Sequence, residues 1–287
     1  MLIAGLVSSL FLTGCVTTNR TALTPATVSR LKTVDVTTSL AQPEIAADVN
    51  PSNIAAITGG GLIGALIDVA VEANRAKKAE VTITPLRDAL IEFNSGEVLR
   101  THLSDKMQAE PLLPIRKVLI TGPVKEKAVI EQVKTGDADG ILLVSVDYRL
   151  SPTFDRVRVL AHVALFDKET LAQGGKPVYQ NDFATYRALP SVPKDRAEAI
   201  QIWCENHGTP MRDALATSFA ELVDMIKFDL RQGEEANLVP KDAWTHDAPT
   251  AGRMAMVQGL AARGAVAKKT DGRTWVRLPT GELSSTY

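Results

Sequence analysis

One stretch constrains the fold of this chain more than any other: residues 117–165 read as strand, helix, strand and strand with little slack between them. Lys117 to Thr121 is a short run centred on Val118, Leu119 and Ile120. Lys125 to Thr135 places Val129, Ile130 and Val133 on one helical face and ends at Gly136. Ile141 to Val146 is a continuous apolar run. This order implies parallel strands joined by a crossover helix. The second strand continues, with Val144, Val146, Tyr148 and Leu150 alternating with Ser145, Asp147 and Arg149. After a turn at Ser151-Pro152, Val157, Val159, Ala161, Val163 and Leu165 alternate with Arg156, Arg158, Leu160, His162 and Ala164. A period of two marks a half-buried antiparallel partner.

The flanks extend this pattern. Leu31 to Leu40 alternates as a first strand with Val34 and Val36 inward. Leu62, Leu66, Val69 and Ala73 recur at helical spacing. Thr84-Pro85 has the form of an N-cap with proline at the first helical position, and Ser95 of a cap for a short helix carrying Leu99, Leu103 and Met107; one kinked helix and three separate pieces both fit this pattern. Val178 to Tyr186 is a further strand after Gly174-Gly175. Thr209-Pro210 opens a helix whose face is Met211, Leu215, Phe219, Leu222, Ile226 and Leu230, and Gly233 stops it. At the C-terminus, Val266 to Lys269 and Arg273 to Leu278 flank Asp271-Gly272 as a hairpin.

The expected fold class is therefore α/β (α+β), a mixed sheet with a βαβ unit, an antiparallel meander and a long closing helix, plus a small C-terminal β appendage. The expected division is a signal peptide over 1–14, a lipidated flexible tether over 15–28, the mixed α/β domain over 29–232, a linker over 233–249 and the appendage over 250–287.

The N-terminus gives an address. Leu2 to Leu12 is almost entirely apolar and is followed by Thr13, Gly14 and Cys15. An h-region of this length is a secretory signal and is too short to span a bilayer. No Lys or Arg precedes it, a departure that a start further upstream would explain. Leu12-Thr13-Gly14-Cys15 resembles the lipobox of bacterial lipoproteins. That resemblance implies cleavage before Cys15, acylation of the Cys15 thiol and membrane attachment through the lipid. In such families an Asp after the cysteine favours the inner membrane, so Val16 implies the periplasmic side of the outer membrane. Cys204 is then the second and last cysteine, and beside Ile202 and Trp203 it reads as a small hydrophobe.

Ala138-Asp139-Gly140-Ile141-Leu142-Leu143-Val144, an acidic turn entering a buried strand, together with the meander and closing helix, resembles in layout the α/β domain of the curli-secretion-channel lipoproteins. The lipoprotein activators of peptidoglycan synthases and the N-terminal domain of the Tol-system periplasmic protein share that layout. The likeness spans roughly residues 30–232 and implies an envelope role. Segments for a curli-type barrel are not evident, so channel activity is not carried over.

Other constellations are weaker. Gly59, Gly61 and Gly64 spell G-x-G-x-x-G, but Ile54 to Thr58 is a poor strand, so no dinucleotide site is expected. Gly60, Gly61 and Gly64 instead offer a small-residue face for close packing, either inside this protein or against a partner. Asp137-Ala138-Asp139-Gly140 begins like a calcium loop, yet Ile141 and Tyr148 fall where oxygen ligands are needed. His102, His162, His207 and His246 are scattered without metal-ligand spacing, and no G-x-S-x-G occurs. Net charge is −1, which argues against a nucleic-acid partner. Neither a cofactor, a metal nor a catalytic residue is expected. The expected function is a lipid-anchored, non-enzymatic interaction or assembly factor with an envelope protein partner. The alternatives are an envelope enzyme whose site is assembled from distant residues, or a structural homo-oligomer.

Overall fold

The computed structural model describes residues 19–48, 62–109, 111–233, 236, 265–270, 272–278 and 280–286, with side chains of 62–72 and of the terminal strand residues 265 and 286 left aside. In chain order the elements are α1 (Pro25–Arg30), β1 (Val34–Leu40), β2 (Ala46–Ala47), α2 (Leu62–Ala89), α3 (Ser95–Ala109), β3 (Ile115–Thr121), α4 (Glu126–Thr135), β4 (Gly140–Leu150), β5 (Arg156–Asp167), α5 (Lys168–Ala172), β6 (Tyr179–Ala188), α6 (Arg196–Leu230), β7 (Ala265–Thr270), β8 (Arg273–Arg277) and β9 (Leu283–Thr286). The strands form one mixed sheet in the order β3-β1-β4-β5-β6-β9-β8-β7, with β2 on the end of β4.

The expected α/β class, with its mixed sheet, βαβ unit, antiparallel meander and closing helix, is the observed one. Strands β3 and β4 are both parallel to β1, which lies between them, so the crossover through α4 steps over one strand. Strands β4, β5 and β6 then run antiparallel in continuous register. The alternation fixes the two faces. Leu142, Val144, Val146, Tyr148, Val157, Val159, Val163 and Leu165 pack with α2, α3 and α6 in the main core. Ile141, Leu143, Ala164 and Phe166 point the other way and meet Val129, Val133 and Leu171 from α4 and α5. Those two short helices cover only one end of the second face. Among the described residues nothing covers the rest of it, toward Ser145, Asp147, Leu160 and His162.

Several expectations need correction. Residues 19–28 are not a tether. Arg20 is 4% exposed, Thr24 caps α1, and Thr21 bridges Gln180 on the edge of β6. Around Thr84-Pro85 the two arrangements that fit the sequence are decided for continuity, because α2 runs through the proline. A proline removes the hydrogen bond to the carbonyl four residues back. That carbonyl belongs to Val81, whose 67% exposed side chain marks a turn facing water, where a freed carbonyl finds a partner. Asn94, not Ser95, caps α3, accepting from the Glu97 N–H. The closing helix begins earlier than Thr209: a first segment from Arg196 is joined to the second through left-handed Asn206, His207 and Gly208.

The C-terminal strands are not an appendage. The hairpin turns between the paired residues Thr270 and Arg273, as expected, with Gly272 at φ +75. However, β9 pairs in parallel with β6 at Phe183 and Ala184, so β7–β9 extend the main sheet. The linker over 233–249 lies almost wholly outside the described residues, as do Cys15, Gly60, Gly61 and His246. Gly64 is within α2, but its surroundings are also outside them. No helix among the described residues is long and apolar enough to cross a membrane.

Two buried acids hold the late strands to α6. Asp229 is fully buried and accepts from Arg20, Tyr179, Asn181 and Arg277. Glu221 accepts from Arg187, Arg273, Trp275 and Ser285. Burial and the Asp229 charge push the Tyr179 phenol well above its ordinary value.

Candidate functional site: an acidic cleft on the open sheet face

The uncovered part of the second face holds a cleft of about 370 Å³. Residues Ala41 and Ser145 to Asp147 line one side, Leu160 to His162 the middle, and Asp182, Phe183 and Glu282 the other side. Register builds it. Ser145, His162 and Asp182 are direct neighbours across β4, β5 and β6, and Asp147 opposes Leu160. Glu282 joins because the parallel pairing of β9 with β6 sets the residue before Leu283 next to Asp182.

Each ionisable group has a defined environment. His162 Nδ1 lies 2.7 Å from Asp182 Oδ1, and a carboxylate there makes Nδ1–H the donor. That hydrogen bond holds the imidazole above its ordinary 6.5, against desolvation, with further help from the Asp182 and Glu126 charges. Burial raises the Glu282 carboxyl above its ordinary 4.5, and the charge of Asp182 adds to this, while Ser284 Oγ donates to it at 2.7 Å. Asp147 accepts from Gln42 Nε2 and Arg149 Nε, both at 2.7 Å. Arg158 pairs with Asp48 at 2.9 Å, and its charge acts on the Glu282 carboxyl against burial. The cleft is thus an apolar floor with three carboxylates around it.

Ser145, His162 and Asp182 are the residue types of a hydrolytic triad, but the geometry differs. No hydrogen bond among the described residues links Ser145 to His162, and the backbone N–H groups of these central strands belong to the sheet ladder. The strand N–H groups beside Ser145 are therefore not free to receive a developing oxyanion. The arrangement suits holding a cation or a proton.

The positions singled out in the sequence lie elsewhere. His102 is on α3, and burial and Lys106 lower its pKa. Burial and Asp88 raise the thiol of Cys204, as fits a packed rather than a reactive cysteine. His207 sits in the break of α6. Asp139 is a turn residue as expected: it accepts from the Lys32 and Thr33 N–H groups at 2.8 Å and is held below the ordinary carboxylate range by them. No group of three His, Cys, Asp or Glu among the described residues is placed to hold a metal ion.

No family model and no curated protein matches the chain. Two solved structures are similar at 12% identity. A hypothetical protein from Chlamydia trachomatis matches over 70% of this chain and 98% of its own, with a TM-score of 0.29. The PelC dodecamer from Paraburkholderia phytofirmans matches over 71% and 91%, with a TM-score of 0.23. Likenesses this slight identify neither a family nor a function.

The cleft has a pH signature. His162 has a raised folded pKa, so its contribution is fully present below its unfolded value and is lost as pH rises through the folded one. Glu282 also has a raised pKa, so ionising it costs more in the folded state and stability falls as pH rises past its unfolded value. Both groups act in the same direction. Melting temperatures measured between about pH 5 and about pH 8 should fall less steeply in the His162→Asn, Glu282→Gln double variant than in the parent. Equal slopes in the two proteins would refute the assigned directions.

Proposed function

We propose that this chain is a lipid-anchored envelope protein that binds, without catalysis, a cationic segment of another envelope protein in the open sheet cleft. The observation that carries the reading is the concentration of Asp147, Asp182 and Glu282 around Leu160 on a sheet face that α4 and α5 leave uncovered. A partly desolvated carboxylate with another negative charge beside it, as Glu282 has in Asp182, gains from a partner that brings a Lys or Arg. A cleft backed by a flat sheet contacts its occupant from one side, as at a protein interface, whereas a small-molecule pocket buries most of its ligand.

The engagement of the strand N–H groups around Ser145 in the sheet ladder favours binding over acyl transfer. The chemistry of the free sheet edges counts against a homo-oligomer built by edge pairing. Strand β3 carries Arg116 and Lys117, and β7 carries Lys268 and Lys269, charges that discourage strand addition. Lipid attachment rests on the lipobox at Leu12 to Cys15.

A photo-crosslinking residue at Leu160, in cells, should give a discrete adduct with another envelope protein. The same residue at Val81, exposed on α2, should give none. Absence of a Leu160 adduct, or identical adducts from both positions, would overturn the reading.

A further inference from the structure

We propose that the lipidated protein is held at the bilayer with the end of the sheet where β6 begins, around Asn19, Gln180 and Thr280, facing the lipid, and with the Val192 end pointing away. This rests on lipid attachment at Cys15. The argument is one of chain length. The fold grips the polypeptide from Asn19 onward. The Asn19 N–H donates to the Thr280 carbonyl at 2.7 Å, and Gln180 Nε2 donates to the Asn19 carbonyl at 2.8 Å. Thr21 and Gln180 exchange backbone hydrogen bonds at 2.9 and 3.1 Å. Arg20 is buried against Asp229, and a Cβ at Gly281 would come within 2.5 Å of Arg20 Cβ, so only glycine permits this approach. Asn19 is four residue steps from Cys15. At about 3.6 Å each, they reach about 14 Å at most.

The opposite end is too far away to touch the membrane. Strand β6 runs from beside Gln180 to Ala188, a span of roughly 26 Å at about 3.3 Å per residue. Val192, 94% exposed, follows that far end. Turning Val192 toward the lipid would lift Asn19 to about twice the reach of the link. Orientations of that kind are excluded by covalent geometry alone.

The consequence concerns the cleft. Asp182 follows Gln180 by two residues along β6, and Glu282 follows Thr280 by two. The acidic cleft therefore opens beside the anchored end of the sheet. Its partner segment must itself lie close to the bilayer, as a basic juxtamembrane stretch does.

The test uses the full lipidated chain in vesicles containing nickel-chelating headgroups. In a Cys204→Ser background the acylated Cys15 is blocked, so one added cysteine takes the fluorophore. Thr280→Cys and, as a second reporter on the exposed surface of the gripped segment, Thr21→Cys should be quenched several-fold more than Val192→Cys. Mass spectrometry of the same samples reports acylation. Acylated protein quenched equally at all sites, or most at Val192, overturns the orientation alone. Absence of the acyl mass overturns the anchor and the orientation with it.

Discussion

Replacing Asp229 with alanine should lower the melting temperature by about 6–20 °C. Asp229 is fully buried on α6 and accepts from Arg20 Nε at 3.1 Å, Tyr179 OH at 3.0 Å and Asn181 Nδ2 at 3.0 Å, with Arg277 as a fourth donor. Arg20 and Arg277 are each 4% exposed. Removing the carboxylate leaves two buried guanidinium groups without their counter-charge. Breaking a buried pair in this way costs about 3–5 kcal/mol. For a domain of this size each kcal/mol moves the melting temperature by about 2–4 °C. The same acid ties the N-terminal segment, β6 and the late strands to one helix, so thermal unfolding should lose its cooperativity as well. Asp224 is the control: its pair with Lys106 is 48% exposed on the acid side, and Asp224→Ala should cost less than about 1 kcal/mol. A shift for Asp229→Ala as small as that for Asp224→Ala would show that the network does not hold these parts together.

Replacing Cys15 with serine should abolish fatty-acid labelling completely. Each methylene of a buried chain adds about 0.8 kcal/mol, so one acyl chain gives marginal attachment and two or three give stable attachment. A serine hydroxyl is not a substrate for thioether formation, so cleavage before residue 15 should stop too. The uncleaved precursor, heavier by its signal peptide, should accumulate. Feeding cells a clickable fatty acid and comparing parent with Cys15→Ser on a gel reads both effects at once. Label persisting in the variant, or unchanged processing, would contradict the lipobox reading.

The fold was legible wherever local pattern and tertiary outcome coincide. The alternation through Val144–Leu150 and Val157–Leu165 placed core residues correctly, because each residue there has one apolar side to satisfy. The Met211–Leu230 face was equally plain. Failures came where a distant partner decides. Arg20 looks like tether until Asp229, 209 positions away, is brought to it. The C-terminal hairpin looks separate because its union with β6 rests on two parallel residue pairs that leave no periodicity in the sequence. The first turns of α6 were hidden by the break at Asn206 to Gly208. The cleft was invisible for a related reason. The alternation sets Ser145, Asp147 and His162 on the non-core side, but which of them face each other, and that Glu282 arrives beside them, depends on strand register across 137 positions between Ser145 and Glu282.

The binding account stands most directly on the carboxylates of the cleft. Truncating one member of a desolvated charge pair at an interface costs about 2–5 kcal/mol. The Asp182→Asn, Glu282→Gln double variant removes two such charges without changing side-chain volume. With the photo-crosslinker at Leu160, the adduct yield in cells should fall at least about tenfold in this variant while its melting temperature stays within a few degrees of the parent. An adduct of undiminished yield from the stable double variant would contradict the account.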